Sequence, residues 1–361
     1  MPLDGRPQTP GTFLISLDFE LHWGMRDVKT VDEYRENLVG ARRAVPALLG
    51  TFAEYDIHAT WAAVGFLFFR RRSDLLRALP SEWPRYADRR LSPYAQIEAI
   101  GEDEDSDPFH FAASLLDQIR SCESQEIASQ TFSHYYTLEP AQSLVAFRAD
   151  LDAAQAAASN FGVVLKSIVF PGNQYDQAHL QVCGEMGFTA FRGNPDSFPY
   201  RPRTRAKQNY GVRAARLLDS HCNLFSHQCY PLARAAGGLP INLPASRFLR
   251  PYTPLAAAQA MVERRVLNDL TYAARHGLVY HLWWHPHNFG KHLEKNIGML
   301  RRILDHFQKL RKDYGMQSKN MAEITLKIYR ETGTRGKNQP ADPTGKAEAS
   351  YLVGNTASVP L

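Results

Sequence analysis

Three short stretches, far apart in the chain, hold residues suited to proton and metal chemistry. They are Ser16-Leu-Asp-Phe-Glu20, Ser129-Gln-Thr-Phe-Ser-His134 and His281-Leu-Trp-Trp-His-Pro-His-Asn-Phe-Gly290. In a strand alternate side chains share a face, so Asp18 and Glu20 are expected to point the same way while Phe19 turns to the packed side. Two carboxylates facing a cleft can hold a cation and accept a proton, and their repulsion favours a metal between them; the plain alternative is a pair of exposed acids at a strand end. His22 continues the same alternation and is a candidate to complete a coordination sphere. Gln130 and His134 stand four residues apart, a spacing that places both on one turn. Imidazole is a common ligand, whereas glutamine offers only a neutral carbonyl oxygen that zinc favours less. Taken alone, His134 also reads as an ordinary polar or capping residue. The last stretch packs three histidines and two tryptophans into ten residues. Aromatic rings stack on the apolar faces of sugars, but Trp283 and Trp284 alternate across a strand, so one of them belongs to the core.

These residues need strands to carry them. Apolar runs rich in β-formers occur at Thr12 to Leu17, His58 to Val64, Gln125 to Gln130, Ser167 to Phe170, Phe188 to Phe191 and Gly277 to Trp283. Helical patterns lie between several of them: Tyr34 to Tyr55, a segment from Glu139 that stops near Gly162, and Gln177 to Met186 ending at Gly187. Such alternation predicts parallel strands joined by helical crossovers, as an open sheet or a barrel. The chemical residues sit where strands end, the usual place for a βα-barrel site. Segments 73–107 and 195–243 break the rhythm and are expected to be loop insertions over the site. Residues 1–11 read as a flexible start, 12–330 as a single domain, and 331–361, poor in apolar residues, as a disordered tail.

Composition narrows the function. Of 361 residues, 44% are hydrophobic, enough for a substantial core, and the net charge is only +5. The basic residues are scattered apart from Arg70–Arg72 and the stretch from Arg301 to Lys312, so nucleic-acid binding is not expected. No apolar run reaches the roughly 18 residues that span a bilayer. Cys122, Cys183, Cys222 and Cys229 form no CxxC pair, and the amino terminus lacks a secretory pattern, so a cytoplasmic location is expected.

The order of these motifs resembles that of the polysaccharide deacetylases, the NodB-homology family, over roughly residues 12 to 325. The resemblance implies a distorted (β/α) barrel with about seven parallel strands. It implies Asp18 as general base and Glu20 as a metal ligand. Gln130-Thr-Phe-Ser-His134 is similar to the family's second motif, His-Ser/Thr-x-x-His, with Gln130 in place of the first ligand. Gln130 and His134 therefore complete the implied metal set, with zinc the first choice of divalent cation. Phe170-Pro-Gly-Asn-Gln174 resembles the third motif but has Gly172 where the family carries an arginine. In Phe191-Arg-Gly-Asn-Pro195, Arg192 can orient a carboxylate; a surface arginine in a turn is the alternative. Trp283-Trp-His285-Pro resembles the closing motif and makes His285 the general acid, with His287 second and His281 a buried core residue. Trp284, Tyr135, Asn173 and His287 are assigned to substrate contact.

The implied activity is metal-dependent hydrolysis of a non-peptide C–N bond, releasing acetate from an N-acetylated carbohydrate such as a precursor of a surface polysaccharide. Gln130 and Gly172 leave an alternative: a catalytically silent relative that binds a carbohydrate or a partner. Because one fold and one metal chemistry serve several amides, a ring amide is a third candidate substrate.

Overall fold

In a computed structural model that describes residues 7–332, apart from 209, 236, 237 and 239, strands and helices alternate along the chain. The order is β1 (Thr12–Phe19), α1 (Val31–Glu54), β2 (Ala59–Ala63), α2 (Arg72–Arg77), α3 (Ala113–Arg120), β3 (Gln125–Ser129), α4 (Leu144–Asn160), β4 (Ser167–Val169), α5 (Gln177–Glu185) and β5 (Ala190–Arg192). It continues with α6 (Tyr210–His221), β6 (Ile241–Asn242), β7 (Arg247–Phe248), α7 (Ala256–His276), β8 (Val279–Trp284), α8 (Pro286–Gly290), α9 (Leu293–Tyr314), β9 (Gln317–Lys319) and α10 (Met321–Thr332). The expected tail from residue 333, and residues 1–6, lie outside the described residues.

All strand pairs are parallel, in the order β6-β5-β4-β3-β2-β1-β8-β7, with β9 added beside β1. The first strands are buried on both faces, as a helix-covered parallel sheet requires. The two ends of this sheet meet through one short segment. On one side Leu243 and Ala245 donate backbone N–H to Phe191 and Gly193; on the other, Ser246 and Leu249 donate to His281 and Trp283. Residues 241–249 therefore act as a single stave shared by both edges and curl the sheet into the expected distorted (β/α) barrel.

Helix ends follow local chemistry. Thr30 and Glu33 form a reciprocal capping box at the start of α1, and Ser143 and Asp176 cap α4 and α5. Gly277 and Gly315 end α7 and α9 in the left-handed conformation. The main core lies between sheet and helices, where Phe13, Ile15, Leu17 and Phe19 of β1 meet Leu48 and Phe52 of α1. Helix α1 also meets α8 backbone to backbone: a Cβ on Gly40 would come within 2.4 Å of the Gly290 backbone. That contact, with a 3.0 Å hydrogen bond from Asn37 Nδ2 to the His287 carbonyl, fixes the segment just after β8. The region 73–107 contains α2 and two 3₁₀ turns, and 195–243 contains α6 and β6. No helix among the described residues is long and apolar enough to cross a membrane.

Candidate functional site

Inside the barrel the wall that leads from Asp18 round to Arg192 is built from small residues. Asp18 pairs in register with Ala62, Ala62 with Ala128, and Val169 with Arg192; Ala62, Ala128 and Val169 form their own small cluster. Their short side chains leave the space that Arg192 crosses from β5 to reach β1. Its guanidinium donates from Nη1 to Asp18 Oδ1 at 2.5 Å and from Nη2 to Asp18 Oδ2 at 2.8 Å. Nη1 also donates to Ser16 Oγ and Nη2 to Asn173 Oδ1, and the group lies 4.1 Å from the centre of the Trp283 ring. Arg192 is thus a buried partner of Asp18 and not a surface turn residue. Gly172, in the left-handed region beside the Tyr136 ring, leaves this task to it.

Glu20 follows β1 and is also buried. Its Oε2 accepts from Gln130 Nε2 at 2.9 Å and lies 3.1 Å from His134 Nε2, while its Oε1 faces His285 Nε2 at 3.5 Å. Burial pushes its carboxyl up to about 7; His285 opposes that shift and the Asp18 charge adds to it. Gly24 closes over this carboxylate so tightly that a Cβ would lie 2.0 Å from Glu20 Cδ.

The Gln130–His134 segment is an irregular loop after β3 and not a helical turn; Thr131 and His134 both have positive φ. Asp150 of α4 holds it, accepting from Phe132 N, Ser133 N and Ser133 Oγ. His134 Nδ1 lies 3.0 Å from Arg26 Nη1. An arginine can only donate, so Nδ1 accepts and Nε2 carries the hydrogen, which it gives to Glu20. Burial, reinforced by Arg26, holds this imidazole well below its usual pKa. The Gln130 Oε1 is buried without a partner.

His285 follows β8 and stands nearest the opening. Its Nε2 is 3.8 Å from Asp18 Oδ2, and Asp18, Glu20 and His285 offer ligand atoms all within 4.8 Å of one another. His287 stacks behind it, ring centres 4.9 Å apart, and is itself buried. A pocket of about 260 Å³ opens beside His285, walled by Trp283, Phe248 and Asn173.

The structure brings Asp18, Glu20, Gln130, His134, Asn173, Arg192 and His285 together, and it moves other expected residues away. Tyr135 does not reach the pocket: it is buried against Phe147 and its hydroxyl donates to the Ser143 carbonyl. Trp284 packs in the core against Phe52 and Phe289, so Trp283 takes its place at the pocket. His287 is a buttress for His285 and does not line the pocket. His22 turns from Glu20, with Nδ1 on His110 and Nε2 on the Lys29 carbonyl. His281 is a core residue, bonded to Ser16 Oγ and the Leu243 carbonyl. Trp283 was accessible to sequence reasoning, since it shares strand parity with His285; Arg26 carried no such signal.

No family model matches the sequence, and no curated protein matches it. The likeness is in three dimensions. Two solved structures are of proteins provisionally named polysaccharide deacetylases. One, from Mycobacterium smegmatis, is 16% identical, with 93% of this chain and 99% of that one covered, at a TM-score of 0.56. The other, from Pseudomonas aeruginosa PAO1, is 11% identical over 90% of this chain and 92% of that one, at 0.55. Puue allantoinase is similar to the same degree, 11% identical over 91% and 94%, at 0.54. At such identities what is shared is architecture, and the chain has a polysaccharide deacetylase-like fold.

Proposed function

We propose that this chain is a hydrolase of non-peptide C–N bonds that removes an acyl group, acetyl first among them, from an N-acylated carbohydrate with the help of a divalent cation. The convergence of Asp18, Glu20 and His285 at the lip of an aromatic-walled pocket carries this reading. Two carboxylates and an imidazole are a donor set that zinc and its neighbours accept. Glu20 Oε1 and His285 Nε2 stand 3.5 Å apart, near enough that one cation could be held by both. Gln130 and His134 fit less well. A metal-bound imidazole uses its second N–H to donate, whereas the second nitrogen of His134 faces a guanidinium. The cation is therefore assigned to Glu20 and His285 with Asp18 beside them, and Gln130 and His134 become the residues that orient Glu20.

Held by these residues, such a cation would supply Lewis-acid chemistry, polarising an acyl carbonyl and lowering the pKa of water. The chain's own groups do the rest. Arg192 fixes Asp18 through both oxygens, and each carboxylate oxygen keeps a second lone pair; that of Oδ2 takes the proton of the attacking water. Asp18 then returns it to the departing amine nitrogen, acting as base and then acid. The acid's role implied for His285 passes to Asp18 because His285 joins the donor set. Trp283 and Phe248 offer faces for a sugar ring. The products are a carboxylic acid, acetate in the first case, and an amino sugar. The unpaired cysteines support a reducing, cytoplasmic setting with a precursor as substrate.

The test is release of acetate from N-acetylated sugars with added zinc, cobalt or manganese, by the native chain, Asp18→Asn and Gln130→His, with ring amides in the same screen. Release by the native chain and its loss in Asp18→Asn support the proposal. A second reading, a silent sugar-binding relative, is favoured by the Gln130 amide that donates to Glu20; it predicts release only from Gln130→His.

A further inference from the structure

The pocket beside His285 is lined by three arginines, Arg216, Arg247 and Arg250, and by no carboxylate among the described residues. Arg247 is almost completely buried: Nε donates to Asp269, Nη1 to the Asp219 backbone carbonyl and, at 3.4 Å, to its carboxylate, while Nη2 has no partner among the described residues. Among the described residues Arg250 spends only its Nε, on Ser220 Oγ. Arg216 uses Nε on the Pro199 carbonyl and places Nη1 3.5 Å from Gln208 Oε1. Among the described residues neither Arg216 nor Arg250 forms an ion pair, whereas Arg247 in the same pocket does. Burial holds both guanidiniums below their usual pKa, with Tyr200 opposing it. A buried guanidinium N–H without an acceptor, as at Arg247 Nη2, is costly unless a ligand supplies one. The planar fork of arginine matches the oxygens of carboxylate and phosphate.

We infer that this pocket recognises an oxyanion group, carboxylate or phosphate, on the substrate, so that the N-acylated carbohydrate is an acidic one. The inference rests on the proposed function for the acyl sugar and on the pocket for the charge. At about 260 Å³ the pocket is below the usual range for drug-sized ligands, which suits one charged sugar unit. Trp283 and His285 place that unit next to the paired carboxylates. The acidic groups nearest to Arg247, Asp219 and Asp269, are already held: Asp219 by the Tyr200 hydroxyl, the Phe225 amide and Arg247 Nη1, Asp269 by Arg247, Arg265 and His227.

The experiment is equilibrium binding by calorimetry with chelator present, so that no turnover occurs, using N-acetylglucosamine, its 6-phosphate and its uronic acid. The native chain is compared with the Arg216→Gln/Arg250→Gln double variant, whose fold is checked by circular dichroism; both side chains are partly exposed. The inference predicts that at least one acidic sugar binds tenfold or more tightly than the neutral one, that added salt weakens the preference, and that the double variant abolishes it. Which acidic sugar is preferred separates a uronate from a phosphate ester. Equal binding of neutral and acidic sugars, or a preference retained in the double variant, overturns it. Acidic-sugar preference without acetate release in the cation-loaded chain would leave the anion pocket standing while the hydrolase reading fell.

Discussion

Replacing Arg192 by leucine tests how the interior of the barrel is organised. The guanidinium makes two short hydrogen bonds to Asp18 and two longer ones, at 3.1 Å to Ser16 and 3.2 Å to Asn173, with no solvent exposure of its side chain. Leucine would leave the Asp18 carboxylate buried without a cation, a change that costs about 3–5 kcal/mol of stability. Removing the charge at the other end relieves most of that penalty. Asp18→Asn/Arg192→Leu is therefore expected to be less destabilised than the sum of its single variants by about 2 kcal/mol or more, since the residues are in direct contact. Arg192→Lys keeps the charge and loses the fork; stability is expected to fall by less, while kcat falls steeply because Asp18 is no longer held through both oxygens. Urea unfolding followed by far-ultraviolet circular dichroism gives the free energies, and acetate release gives kcat. A cost below about 1 kcal/mol for Arg192→Leu, or strict additivity in the double variant, would refute the buried-pair argument.

Other consequences can be measured separately. Burial, and then Arg192, push His281 down to about 3. An unfolded histidine titrates near 6.5, so this group contributes stability above that pH and the contribution is lost as pH falls from about 6.5 towards 3. Between pH 7 and 5 the native chain should lose about 2 kcal/mol more than His281→Gln does, as read from unfolding at each pH. Gly24→Ala would push a methyl into the Glu20 carboxylate; stability is expected to drop by about 1–3 kcal/mol and cation binding with it, which calorimetry will show. Trp283→Ala should raise KM for the acyl sugar at near-native stability, whereas Trp284→Ala should cost about 3–5 kcal/mol of stability in an unfolding titration.

Most of the strand framework could be read from the chain because helix-covered parallel strands are continuous apolar runs: β2, β3 and β4 fall inside such runs, and β1, β5 and β8 start in them and continue one or two residues further, to Phe19, Arg192 and Trp284. The two-residue strands β6 and β7 could not be read, since their pairing depends on where residues 241–249 cross between sheet edges and not on any local pattern. Of the site, Asp18 and Glu20 follow from strand parity, and His285 from its position after β8. Trp283 has the same parity as His285, so the choice of Trp284 set aside a rule that the sequence already contained. Tyr135 could not be placed because Asp150 and the positive φ of His134 redirect the loop that carries it. The opposed roles of His134 and His285 depend on Arg26, which reaches His134 Nδ1 across 108 positions of sequence. No spacing rule connects residues so far apart.

The central claim is that the cation sits between Glu20 and His285 and that His134 only orients Glu20. Titration of zinc into the metal-free native chain, His285→Ala and His134→Gln by calorimetry tests it most directly. The account predicts one site in the native chain, a loss of more than 100-fold in affinity for His285→Ala, and a smaller loss, about 10- to 100-fold, for His134→Gln, as for a change behind a ligand. Native-like zinc affinity in His285→Ala together with abolished binding in a folded His134→Gln would contradict it.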